Sequence, residues 1–162
     1  SLELLPGGCL AVGGGAGVLL LNVSSPLAAG DVGALKGTML LEVPGVNAML
    51  ALPPATGDGD GGHLAVASDE GLFVVDTPAL CQVGRQPSAA NGSSGRPPPL
   101  PALGARFAYD ILRLSDGRFA VGTDGGVWLF DDLRSPAPPS AVLVPKAHVT
   151  CLAPLPGGGL AA

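Results

Sequence analysis

Asp58 and Asp60 stand two residues apart in the stretch Thr56-Gly57-Asp58-Gly59-Asp60-Gly61-Gly62-His63. Calcium takes six or more oxygen ligands, and a D-x-D-G turn can offer several from carboxylates and backbone carbonyls. One copy with two carboxylates is ligand-poor, and a polar elaboration of a hairpin loop accounts for the same residues. No metal is assigned, and Asp58 and Asp60 stand as the calcium candidate. Catalysis would ask for a nucleophile, a base and an orienting group, or for a metal cluster. The histidines, His63 and His148, lie in no H-x-x-H or H-E-x-x-H pattern, and no nucleophile elbow accompanies them. Asp69, Asp76, Asp124 and Asp131 fall at expected strand ends, where turn capping explains them. The expectation is a non-catalytic chain without a cofactor.

Composition narrows the partners. A net charge of -5 with 8 Lys+Arg and 4% aromatic residues supplies neither a phosphate-neutralising surface nor a stacking platform, which argues against nucleic acid. Gly, Pro or charge interrupts every apolar run before the roughly 18 residues of a membrane-crossing helix, so no membrane insertion is expected. Cys9, Cys81 and Cys151 are odd in number, widely spaced and never in a C-x-x-C pair, the pattern of reduced structural thiols. A cytoplasmic or nuclear setting is the corresponding expectation.

The elements that must position any site come from an internal repeat. Residues 10–22 (LAVGGGAGVLLLN), 64–76 (LAVASDEGLFVVD) and 119–131 (FAVGTDGGVWLFD) align without gaps, and Leu160-Ala161-Ala162 begins a further copy. Gly17, Gly71 and Gly126 share the eighth position, while Gly8, Gly62, Gly117 and Gly158 each precede the first by two residues. Each copy is an apolar run, a short polar turn and a second apolar run, which describes a tight hairpin. The shared glycine would supply the positive φ of that turn. The second runs are apolar at every position instead of alternating, so both of their faces should be buried between neighbouring sheets. Upstream strands are expected at residues 2–5, 46–52, 109–114 and 149–155. Outer strands are expected at 38–43 and 141–144, with the Pro-rich 100–103 a further candidate. The fold class that results is all-β: a partial propeller of four-stranded antiparallel blades, about three blades plus the start of a fourth.

The residues that carry this repeat resemble WD-repeat propellers. In HVTCLAPLPGGGLAA, His148 precedes an inner strand and a Pro-x-Gly turn leads into the next, while Val75-Asp76 and Phe130-Asp131 sit where Trp-Asp falls in that family. Residues 119–131 equally resemble the sensor propellers attached to bacterial two-component regulators, and the 56–63 loop resembles the calcium loops of integrin-type propellers. The WD resemblance implies a hydrogen-bonding role for His148 at a blade entry.

Residues 1–162 are accordingly one incomplete propeller with units at about 1–45, 46–105, 106–147 and 148–162. The remaining blades are expected from missing chain, since three blades and the start of a fourth do not close a ring that needs roughly four to eight. Residues 85–105 form a Pro/Gly/Ser-rich insertion, a surface linker or a polyproline ligand through Pro97, Pro98, Pro99 and Pro101. The functional expectation is a protein-interaction scaffold, with a ligand-sensing extracytoplasmic propeller as the alternative. Arg106, Tyr109, Asp110, Arg113, Trp128 and His148 are the candidate binding residues, Trp128 reading also as inter-blade core.

Overall fold

A computed structural model describes residues 1–5, 8–23, 37–53, 62–77, 107–135 and 137–162. These form strands and turns without a helix, and no helix among them is long and apolar enough to cross a membrane. The strands in chain order are β1 (Leu2–Leu5), β2 (Cys9–Gly14), β3 (Gly17–Asn22), β4 (Gly37–Glu42), β5 (Val46–Leu52), β6 (Gly62–Ser68) and β7 (Gly71–Thr77). They continue as β8 (Ala108–Arg113), β9 (Phe119–Thr123), β10 (Gly126–Phe130), β11 (Ala141–Leu143), β12 (Ala153–Pro154) and β13 (Leu160–Ala161). Asp58 and Asp60 of the expected calcium loop, Arg106, the 85–105 insertion and the 100–103 strand lie outside the described residues.

All pairings are antiparallel between strands consecutive in sequence, giving small meanders: β1 to β4, β5 to β7, β8 to β11, and the terminal pair β12 and β13. The repeat is the middle hairpin of each of the first three, with closing pairs Gly14↔Gly17, Ser68↔Gly71 and Thr123↔Gly126. At the turn, Gly17, Gly71 and Gly126 have φ of 136°, 119° and 124°. At Gly126 a Cβ would also lie 2.8 Å from the carbonyl oxygens of Leu143 and Val144, so both the backbone angle and the neighbouring strand require glycine there.

Strand alternation then sorts each hairpin into two apolar faces. Positions two, four, nine and eleven face the next sheet in the chain, and positions one, three, ten and twelve face the previous one. In the second sheet, Leu64, Val66, Phe73 and Val75 pack against Cys9, Ala11, Val18 and Leu20 of the first. Its opposite face, with Ala65, Ala67 and Leu72, packs against Phe119, Val121 and Phe130 of the third sheet. Ala120, Val127 and Leu129 of the third sheet meet Val149, Leu152 and Leu160 of the terminal segment. Small residues at positions two and four thus receive large ones from the following sheet, which lets two pleated surfaces interdigitate.

The first strands are also tied to one another. Glu3 Oε1 accepts from the Ala51 amide at 2.9 Å, Asn47 Nδ2 donates to the Ala108 carbonyl at 3.0 Å, and Asp110 Oδ2 accepts from the Leu152 amide at 2.7 Å. One polar side chain per sheet therefore reaches the leading edge of the next.

Cys9 departs from expectation. It is buried and disulfide-bonded, whereas Cys151 is free and exposed, and Cys81 lies outside the described residues. Widely separated cysteines can meet once stacking brings distant strands together, a proximity that their sequence spacing does not encode.

Candidate functional site

A β-bulge places the aromatic residue that matters most. In the β8–β9 pairing, Ala108 opposes Thr123 and Asp110 opposes Gly122, so Tyr109 is the extra residue. Asn47 is the corresponding extra residue between Val46↔Ser68 and Ala48↔Ala67. A bulge turns its side chain out of the regular alternation. Asn47 uses that freedom to donate to Asp69 Oδ1 as well as to the Ala108 carbonyl. Tyr109 instead lays its ring between two others: the Phe107 ring at 6.1 Å and 15°, and the His148 ring at 4.8 Å and 25°.

Phe107 and His148 occupy the same place in successive units, each twelve residues ahead of its hairpin's first position, Phe119 and Leu160. The result is a row of three flat rings across the seam between the third sheet and the terminal segment. Phe107 and His148 are exposed and Tyr109 is half-buried, so the row presents aromatic surface to solvent. Preordered rings of this kind offer contact area at little entropic cost, and their faces attract guanidinium groups and proline rings.

Of the candidates named from sequence, Tyr109 and His148 come together in this row. Asp110 does not join it as a ligand group, because its carboxylate accepts from the Ile111 and Leu152 amides and acts as an inter-sheet rung. Arg113 is exposed at the far end of β8. Trp128 is half-buried against the core between the second and third sheets, and its Nε1 has no hydrogen-bond partner among the described residues. Arg106 is outside the described residues.

Phe107 was not singled out by sequence reasoning, although aligning it with His148 along the repeat would have found it. Also missed were the buried hydroxyls that close the turns. Ser68 Oγ donates to the Gly71 carbonyl at 3.0 Å and accepts from the Glu70 amide at 3.2 Å. Thr123 Oγ1 repeats this with Gly126 at 2.9 Å and Gly125 at 3.0 Å. Two of the four acids credited with capping make other contacts: Asp69 accepts from Asn47, and Asp76 Oδ1 sits 3.0 Å from His63 Nε2.

Two ion pairs brace loops. Arg118 beside Asp116, through its side chain first and its amide second, holds that exposed carboxyl below the usual range. At Asp132 burial works to raise the pKa, but the Arg134 amide and guanidinium outweigh it and keep the carboxylate below its ordinary value. The same guanidinium donates from Nη1 to the Pro53 carbonyl at 2.9 Å, strapping the third sheet to the second. Among the described residues no group of three or more His, Cys, Asp or Glu is placed to hold a metal ion. No protein-family model, curated protein or solved structure matches the chain.

Proposed function

We propose that this chain is part of a propeller-type interaction platform, of the WD-repeat-like kind, that grips a protein partner through the Phe107, Tyr109 and His148 row. The sheets that stack in chain order support the propeller reading, as do the rungs that link each first strand to the next, since first strands gathered at an axis would need such ties. The observation that carries the functional reading is the bulge-positioned Tyr109 ring held between two exposed rings. The partner's complementary group is a proline or arginine side chain, both of which stack on such faces. The test is comparative: cross-linking mass spectrometry of the protein and its Tyr109→Ser and Phe107→Ser variants in its native extract, with circular dichroism to establish folding. Cross-linked peptides mapping near 107–113 that vanish in both folded variants support the reading. An unchanged cross-link map in both variants overturns it.

A second reading, the ligand-sensing extracytoplasmic propeller, is favoured by the disulfide at Cys9, since such bonds persist mainly in oxidising compartments. Thiol titration of the unreduced, denatured protein decides it. Fewer than the 3 thiols of the sequence supports this reading, and a count of 3 removes its basis.

A further inference from the structure

A carboxylate of the second sheet lies beside the aromatic row. Asn47 Nδ2 donates to Asp69 Oδ1 at 3.1 Å and to the Ala108 carbonyl at 3.0 Å, so one amide nitrogen joins that carboxylate to the residue between Phe107 and Tyr109. Asp69 is also pinned through its backbone, its amide donating to the Gly45 carbonyl at 3.1 Å. Gly45 precedes the bulged Asn47 by two residues, as Phe107 precedes the bulged Tyr109. Where the third sheet and the terminal segment present a ring, the second sheet therefore presents bare backbone. Gly45 has φ of 60°, and a Cβ there would collide with the Asp69 carboxylate, which takes the space that a side chain would fill.

This carboxylate is exposed and held in place. Its Oδ1 has the Asn47 amide, and none of the ion pairs among the described residues includes it. Phe107, 37% exposed, is the end of the row away from His148. A ring face and an unpaired carboxylate side by side suit one kind of guest. A guanidinium is flat, weakly hydrated and always charged, so it can stack on the ring while its edge donates to the carboxylate. A proline ring would use the face and leave Asp69 without a partner. A lysine ammonium would meet the carboxylate, but as a compact and strongly hydrated charge it gains less from the ring.

We infer that Phe107 and Asp69 form a binding site for a guanidinium group, presented by an arginine side chain of the partner. Phe107 supplies the stacking face and Asp69 Oδ2 the acceptor. Asn47 and the Gly45 carbonyl fix the carboxylate beforehand, which lowers the ordering cost of binding. The inference rests on the aromatic row as the gripping surface and selects between the two groups that such faces attract.

The probes are N-acetyl-arginine amide, N-acetyl-lysine amide and N-acetyl-proline amide, each titrated at millimolar concentration into the isotope-labelled protein and followed by amide NMR. Two variants separate the parts of the site. Asp69→Asn keeps an acceptor for Asn47 and removes the charge, and Phe107→Leu keeps an apolar side chain and removes the ring; both positions are exposed, so neither change opens the core. The arginine probe is expected to shift the Asn47, Asp69, Phe107 and Tyr109 signals and to bind at least about threefold more tightly than either other probe, with each variant weakening it at least about threefold. Lysine or proline binding as tightly as arginine overturns the inference, as does arginine binding that Asp69→Asn leaves unchanged, or the absence of shifts with arginine. Proline shifts at Phe107 and Tyr109 without arginine shifts would remove the guanidinium site and leave the gripping row standing, so the two failures are distinguishable.

Discussion

The buried hydroxyls of Ser68 and Thr123 each satisfy one carbonyl and one amide of a two-residue turn. The first copy of the repeat has Gly14 at that position, and a Cβ built there meets nothing within 4 Å. Gly14→Thr should therefore stabilise the chain. The added hydroxyl would find the Gly17 carbonyl and the Ala16 amide in the places that its counterparts use, and the unfolded chain would lose backbone freedom. Together these are worth about 1–2 kcal/mol, read as a higher urea midpoint with an unchanged denaturant slope; a lower midpoint would count against the turn equivalence. A second residue-scale expectation concerns acid. Asp132 has a folded pKa below its ordinary 3.8, so the stability it lends is fully present above that value and is lost as pH falls through the lower folded one. Its side chain is 44% exposed, which limits the contribution to less than about 1 kcal/mol. Asp132→Asn should lower stability slightly at pH 7 and match the parent near pH 2. A variant that stays equally weaker at both pH values would assign the effect to packing instead of charge.

Within an element, the repeat's glycine carries more than a turn propensity. Gly126 has φ of 124°, and its missing Cβ leaves room for the Leu143 and Val144 carbonyls of the adjoining outer strand and loop. Gly125, one residue earlier, has open surroundings, the nearest heavy atoms standing 3.7 Å from a built Cβ. Gly126→Ala should cost about 2 kcal/mol or more and release β11, while Gly125→Ala stays within about 1 kcal/mol of the parent; thermal melts of the two variants give the comparison. This contrast also explains what the sequence discloses. Periodicity placed β1 and β5 at their observed bounds, because apolar runs bounded by turn residues are local signals. The two-faced hairpins were equally legible, since runs such as Val127 to Phe130 have no polar position to turn outward. The bulge at Tyr109 was not, because a bulge is a mismatch between two strands and belongs to neither alone. The same reasoning applies to Asp110, whose carboxylate looked like a binding group until the Leu152 amide arrived from the next unit.

Across the whole molecule, each sheet packs on its chain neighbours, so stability should behave as a sum of sheet terms and interface terms, as in other stacked repeats. Among the described residues, Leu2 and Leu4 are each 67% exposed and Met39 is 47% exposed, on the face of the first sheet opposite the one that meets the second sheet. The interfaces on either side of the second sheet hold the largest buried side chains, Phe73 and Phe130. Leu64→Ala would open a void between the first and second sheets, and Leu129→Ala one between the third sheet and the terminal pair. Each substitution removes about 2–5 kcal/mol of local packing. In a quasi-one-dimensional stack that loss is felt by the two sheets that share the interface and fades beyond them. Leu64→Ala should accelerate amide exchange in β1 to β7 and leave Leu160 and Ala161 at parent rates, whereas Leu129→Ala should do the reverse, loosening the terminal pair while β2 and β3 keep their protection. If both variants accelerate every strand to the same degree, the sheets unfold as one cooperative block, and the neighbour-by-neighbour account of the fold fails.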